Sequence, residues 1–212
     1  MKKGIILVGA GIHCKSCIDV IESENEYIIV GIIDIKKKIG EKIYDYEIIG
    51  SDEDIPNLLQ KYRYFHITIG HVINAELRIQ KFNYIKKLGG IFPVIKSPLA
   101  YISKHARVEE GSMIMHDALI DADAHVGRNC IVNISTLIAH GAKLEDHCHV
   151  SANCVLGDCQ IGSGTFIGCN CYINNGVTIM KNSVIGSCSN VLKPLLKKGI
   201  YAGNPVRFLK ET

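Results

Sequence analysis

From Ile102 onward an aliphatic residue returns every six positions: Ile102, Val108, Ile114, Ile120, Val126, Val132, Ile138, Leu144, Val150 and Leu156. One residue is then dropped, and the series resumes at Ile161 and runs through Ile167, Ile173, Ile179, Ile185 and Val191. A helix would bring such residues back about every 3.6 positions and a strand every second position. A sustained period of six fits neither alone. It predicts a solenoid of short flat strands, each followed by a corner. Units such as Val126-Gly127-Arg128-Asn129-Cys130-Ile131 and Ile167-Gly168-Cys169-Asn170-Cys171-Tyr172 share one form: an inward aliphatic residue, then small residues up to the corner. Gly and Asn tolerate the positive φ that sharp corners use. Three units make one triangular coil of about eighteen residues, and stacked coils bury a continuous ladder of Ile and Val.

The preceding residues alternate between the two basic periods. Gly4 to Val8 reads as a buried strand, Gly9-Ala10-Gly11 as a tight turn, and His13 to about Glu22 as a helix. Tyr27 to Ile33 is a second strand ending at Asp34, and Ser51 caps a helix from Asp52 to about Tyr62. Tyr64 to Ile69 is a third strand closed by Gly70, Ala75 to Leu88 an amphipathic helix stopped by Gly89, and Ile91 to Val94 a fourth strand. Alternating strands and helices predict a small parallel α/β sheet of doubly wound type. The expected division is 1–96 for this Rossmann-like unit and 97–212 for the solenoid.

Bulk composition narrows the function classes. A formal charge of +3, with no dense Lys/Arg cluster interleaved with aromatics, argues against a nucleic-acid partner. Lys193, Lys197, Lys198, Arg207 and Lys210 form a solvated basic end that can meet phosphates. No apolar run is long enough to span a bilayer, and Lys2-Lys3 before Gly4 to Val8 opens a strand rather than a signal peptide. Nine cysteines, an odd number without an export signal, read as reduced thiols in a cytoplasmic protein. Cys14-Lys15-Ser16-Cys17 has redox or metal spacing, but no second pair accompanies it, and both residues are expected to pack inside a helix. The first turn invites a dinucleotide reading, yet the third glycine of that fingerprint would fall on Cys14. A phosphate or nucleotide at the helix N-terminus remains consistent with the free N–H groups there.

The whole chain resembles the sugar acyltransferases of the PglD and NeuD type, a short Rossmann-like domain followed by a hexapeptide-repeat, left-handed parallel β-helix. Gly9-Ala10-Gly11-Ile12-His13 matches the family's first-turn pattern except that Ile12 replaces a glycine. Asn133 to His149 matches the stretch carrying the catalytic histidine, and Tyr201-Ala202-Gly203-Asn204-Pro205-Val206-Arg207 matches the segment near the CoA tail. The resemblance implies an acetyl-CoA-dependent N-acetyltransferase acting on a nucleotide-linked amino sugar, forming homotrimers with active sites in grooves between neighbouring helices. It places the general base on His140. It implies substrate contacts at Gly11, Ile12, His13, Asp34, Ile35 and Gly70, and acetyl-CoA contacts at His149, Gly168, Cys169, Asn170, Gly186 and Ser187. No metal is expected. O-acetylation of a sialic-acid-like sugar and a zinc-dependent lyase on the same scaffold are the alternatives.

Histidine suits removal of a proton from an attacking amine or hydroxyl near neutral pH. The family usually carries Glu or Asp immediately after that histidine, whereas this chain has Gly141. Asp117, Asp121, Glu145 and Asp146 are then the regional candidates for orienting His140, or the base is weaker. A weaker base is better tolerated by an amine, already a good nucleophile, than by a hydroxyl. His66, His71, His105, His116, His125 and His147 are expected to be structural or on the surface.

Overall fold

The computed structural model describes residues 2–211. Strands β1 (Lys3–Val8), β2 (Tyr27–Ile33), β3 (Lys42–Ile43), β4 (Tyr46–Gly50) and β5 (Tyr64–Ile67) form one sheet in the order β3-β4-β2-β1-β5. All its pairings are parallel except that of β3 with β4. Alternation along β1 feeds two cores. Ile5 and Leu7 face helix α1 (Ile12–Glu24) and meet Cys14, Cys17, Ile18 and Ile21. Ile6 and Val8 face the other way, toward Phe65, Phe82, Ile85 and Phe92. A sheet covered on both sides is what near-continuous apolar strands require. Cys14 and Cys17 are fully buried, and burial pushes both thiols up, Cys14 to about 11.

Three expected elements differ. The helix from Asp52 shrinks to a 3-10 turn, Asp52–Asp54, and a short helix α2, Ile55–Leu59, with Pro56 in its first turn and a Ser51/Asp54 capping box ahead of it. The third strand stops at Ile67 rather than Ile69. The fourth strand does not form: Ile91 makes a single bridge to Tyr64, and Pro93 cannot donate to a ladder. Helix α3 spans Glu76–Lys87. The β3–β4 hairpin went unforeseen because its turn uses Tyr44 at φ +53 with no glycine or proline to mark it.

The remaining residues form a parallel β-helix. After β6 (Ile95–Lys96) come sixteen two-residue strands among the described residues, β7 (Tyr101–Ile102) through β22 (Asn190–Val191). Each ends on one of the periodic aliphatics, from Ile102 to Val191, and these side chains point inward as the core ladder. Interior corner positions carry small residues whose hydroxyl or thiol is tied to a corner carbonyl. Ser112 donates to Gly127 at 2.6 Å, Thr136 to Ser151 at 2.8 Å, and the Cys154 thiol to Gly168 at 3.0 Å. This accounts for Cys130, Cys148, Cys154 and Cys171, all buried.

Successive strands visit three faces in rotation. On the first face the N-terminal unit docks: Met113 joins the α1 core, and His149 and Phe166 meet His71. This docking face includes Ile95–Lys96, paired with Met113–Ile114, so the helical sheet starts two residues before the expected boundary. The second face presents Tyr101, Leu119, Leu137, Val155 and Tyr172 outward, an apolar column left exposed in the single chain. The third face presents Arg107, His125, Lys143, Gln160 and Thr178 and is polar. After the last coil, β23 (Ile200–Ala202) turns through a cis Asn204–Pro205 bond into β24 (Arg207–Lys210), which runs antiparallel to it.

Candidate active site

A cleft of about 460 Å³ opens at the carboxyl ends of β1, β2 and β5, where open α/β sheets take their ligands. Gly11, Ile12, His13, Asp34, Ile35 and Gly70, the six positions expected to meet substrate, all line it. Gly9 turns at φ +108, and a Cβ there would come within 2.3 Å of Ile69, so the turn admits only glycine. Helix α1 begins at this turn with no side-chain cap and no acidic residue in its first turn, leaving N–H groups and the positive dipole end toward the cleft. Lys38 and Lys81 also line it.

Asp34 is already engaged. It accepts from the N–H of Ala10 at 2.5 Å and from that of Ile35 at 2.7 Å, and Lys38 lies 3.2 Å away. Partial burial alone would raise its carboxyl, but the two N–H donors and Lys38 outweigh this and hold it below its ordinary value. It therefore shapes the turn as well as facing the cleft. Ile12, at the glycine position of the first-turn pattern, projects outward at the rim, 89% exposed.

Below the cleft lies a histidine cluster. His149, on the docking face, donates from Nδ1 to the carbonyl of His71 at 2.8 Å, which leaves Nε2 as the unprotonated nitrogen, buried and without a protein partner. Its ring lies 6.0 Å from His13, 5.5 Å from His71 and 5.3 Å from Phe166, centroid to centroid. Burial first, then the neighbouring charge of His149 and Arg78, holds His13 down to about 3. His149 is lowered to about 4, chiefly by burial. These rings stay neutral near pH 7 and act as hydrogen-bonding groups, not cations. His149 thus sits beneath the cleft, in contact with His13 and Gly70 of its wall, and on the strand paired with Phe166–Ile167, which leads into the Gly168 corner.

The other expected acetyl-CoA contacts lie on the edge between the docking and apolar faces. Gly168, Cys169 and Asn170 occupy one corner, and Gly186 and Ser187 the corner of the next coil, stacked so closely that a Cβ on Gly168 would meet the Ser187 nitrogen at 2.5 Å. Asn170 accepts from Asn153 at 2.6 Å, and Cys169 is exposed.

His140 sits on a different edge, between the apolar and polar faces, in the corner after Leu137–Ile138. Its side chain is 76% exposed, and Nδ1 lies 3.6 Å from Asp121 Oδ2. Of the four carboxylates suggested by region, only Asp121 is there. Asp146 is held by Arg128 at 2.6 Å, Glu145 accepts from the Ser163 N–H at 2.9 Å, and Asp117 occupies the docking–apolar edge. A carboxylate that sequence proximity did not suggest, Asp158, packs against Gly141. The only signal for it is the residue dropped from the repeat after Leu156. The docking face lies opposite the His140 edge of the triangle. One chain therefore holds the cleft and the exposed histidine on opposite sides of its own β-helix.

Among the described residues no group of three His, Cys, Asp or Glu side chains is placed to hold a metal ion, and no helix is long and apolar enough to cross a membrane.

Residues 4–85 match the PglD N-terminal domain, residues 120–158 the hexapeptide repeat of succinyl-transferase, and residues 158–193 the bacterial transferase hexapeptide of six repeats. No curated protein matches the chain significantly. Among solved structures, a histidine-to-asparagine mutant of perosamine N-acetyltransferase from Caulobacter crescentus, in complex with CoA and GDP-perosamine, superposes with a TM-score of 0.92 at 23% identity over 98% of this chain and 97% of that one. The acetyltransferase domain of PglB from Neisseria gonorrhoeae, in complex with acetyl coenzyme A, gives 0.90 at 22% identity over 99% of this chain and 100% of that one. WeeI from Acinetobacter baumannii gives 0.75 at 20% identity, covering 98% and 100%. Identities this low establish shared fold. The chain thus pairs a segment matching the PglD N-terminal domain with a left-handed β-helix that matches transferase hexapeptide repeats.

Proposed function

We propose that this protein transfers the acetyl group of acetyl-CoA to the amino group of a nucleotide-linked amino sugar, at a site completed by a second copy of the chain in a homotrimer. The observation that carries the reading is His140, an exposed imidazole with a carboxylate facing Nδ1, on an edge bordered by an exposed apolar column. The likeness in fold to an enzyme crystallised with CoA and GDP-perosamine supports it.

The cleft suits the nucleotide end of such a substrate. The open N-terminus of α1 offers N–H donors to a diphosphate, and Lys38 and Lys81, which pair with Asp34 and Asp52, add ammonium donors at the rim. The sugar amine must then reach a histidine that its own chain presents on the far side. Packing the apolar column against another copy removes that separation by bringing one chain's His140 toward its neighbour's docking–apolar edge, where Gly168, Asn170, Gly186 and Ser187 would lie along the pantetheine arm. Active sites would then equal chains in number.

In the chemical step the amine nitrogen bonds to the thioester carbonyl carbon while His140 Nε2 takes the amine proton. Collapse of the tetrahedral intermediate breaks the C–S bond, and the proton passes to the departing CoA sulfur. The products are an amide and free CoA, with no acyl-enzyme. Acetyl-CoA and nucleotide-linked sugars are intracellular metabolites, and the nine unpaired cysteines agree with a reducing, cytoplasmic setting.

The test is a panel of nucleotide-linked amino sugars incubated with acetyl-CoA, with thiol release followed over time. Release dependent on a free amino group is expected, falling roughly a hundredfold or more in His140→Ala. Release only with hydroxyl acceptors would replace amide by ester formation, and no release with any acceptor would overturn the reading.

A further inference from the structure

We infer that the His140 corner takes its carboxylates from neighbouring coils, with Asp121, one coil below, as the positioning residue of His140 and Asp158, one coil above, closing the other side. This rests on the acetyl-transfer reading of His140.

The strand ladder fixes the stacking. Leu119 pairs with Leu137 and Leu137 with Val155, so the corners that follow, residues 121–124, 139–142 and 157–159, lie one above another. The first two have four residues and the third has three, which is where the repeat drops a residue. The Gly141 N–H donates to the Ala122 carbonyl at 3.3 Å, anchoring the His140 corner on the one below. There the Asp121 carboxylate is held by its own Oδ1, which accepts from the Ala122 N–H at 2.7 Å, and Oδ2 is left to face His140 Nδ1 at 3.6 Å.

The shortened corner above sets Asp158 against residue 141. A Cβ on Gly141 would lie 3.0 Å from Asp158 Oδ1 and 3.2 Å from its Cγ, and the φ of +73° disfavours any side chain there. An acid on residue 141 would thus need both strain and contact with another carboxylate. The same negative charge is instead supplied through space from the next coil. Among the described residues neither Asp121 nor Asp158 has a Lys or Arg within ion-pair distance, so neither charge is already neutralised.

A carboxylate at Nδ1 keeps the proton on that nitrogen and leaves the Nε2 lone pair for the amine. When Nε2 takes the amine proton, the resulting imidazolium has the Asp121 carboxylate 3.6 Å from its Nδ1, which stabilises that state. Asp121 touches no substrate and acts through His140.

Asp121→Asn, Asp158→Asn and His140→Ala are compared in the thiol-release assay, with kcat and both KM values measured across pH. Asn keeps an acceptor for the Ala122 N–H, so the fold is retained and thermal unfolding serves as the control. Asp121→Asn is expected to lower kcat roughly tenfold or more with both KM values within about twofold. Asp158→Asn is expected to lower kcat by less, and Asp121→Glu to recover part of the lost kcat. A dead His140→Ala alongside an unchanged kcat in Asp121→Asn would overturn the inference and leave the function standing. A fully active His140→Ala would overturn the function itself.

Discussion

Arg78 of α3 and Asn129 of the β-helix join the two halves of the chain: Arg78 Nη2 donates to the Asn129 carbonyl at 2.8 Å and to its Oδ1 at 2.7 Å. The other terminal nitrogen reaches the carbonyls of Ile67 and Ile69, at the end of β5. The guanidinium is fully buried with no carboxylate partner, and burial lowers it to about 10. Its Nε has no partner, but a buried cation whose two terminal nitrogens hold carbonyls is costly to remove, because its loss leaves several acceptors dry. Arg78→Met is expected to cost about 3 kcal/mol in denaturant unfolding and to separate one unfolding transition into two. A loss below about 0.5 kcal/mol would show that the seam is held by apolar packing alone.

Acid should weaken the fold before it reaches ordinary carboxylates. His13, His66 and His71 are each held down to about 3, first by burial and then by neighbouring charge, and His149 to about 4. The unfolded chain binds these protons near 6.5, while the folded chain refuses them until much lower pH. The stability is therefore complete above pH 6.5 and is lost as pH falls toward 3 to 4. At about pH 5 a fully buried group such as His66 accounts for about 2 kcal/mol. Glu24 works in the opposite sense. Burial raises it to about 7, so its contribution is present at low pH and is lost as pH rises through that value, softened by its partial exposure. Melting temperatures between pH 8 and 5 should fall on the acid side, and less steeply in His66→Phe. An equal slope in the variant would exclude His66 as a source.

Thiol chemistry offers a map of the edges. Cys169 and Cys188 are exposed and the other seven cysteines are buried. Two thiols per chain should react with an aromatic disulfide reagent in the native protein and nine in denaturant. If acetyl-CoA lies along the docking–apolar edge, it should slow both native thiols. A third fast thiol would contradict the packing of the interior columns, and full reactivity at saturating acetyl-CoA would move that ligand elsewhere.

The separation of cleft and base within one chain predicts complementation. His140→Ala should be inactive, and so should a variant with Lys38 and Lys81 both changed to Met. After the two are unfolded, mixed and refolded together, activity should return to a sizeable fraction of wild type, because mixed assemblies pair an intact cleft with an intact histidine. Absence of recovery, with mixed assemblies verified by mass, would put both groups of one site on one chain. Leu137→Arg on the apolar face should dissociate the assembly and abolish turnover together.

The β-helix was legible because a two-residue flat strand has one inward position, and only an aliphatic residue satisfies it at all sixteen levels from Ile102 to Val191. The cleft was legible for a similar reason: the ends of β1, β2 and β5 converge by topology, which brings Gly11, Asp34 and Gly70 together whatever fills the loops between them. Two kinds of information were not. The lost strand after Ile91 and the shortened helix after Ser51 turned on single prolines, Pro93 and Pro56, whose effect depends on neighbours. The surroundings of His140 turned on stacking. Chain proximity offered Asp121 on equal terms with Asp117, Glu145 and Asp146, which lie at other corners, and it did not offer Asp158, which stacking sets against Gly141.

The reversal at Gly203 to Val206, which lays β24 backwards against β23, has a consequence for growth. A pile of identical rungs is open at its end by construction, and an uncovered last rung is a template for another molecule. Here the final rung on the docking side faces a ribbon of opposite polarity. The docking side is thereby a poor end for another copy of the chain to extend.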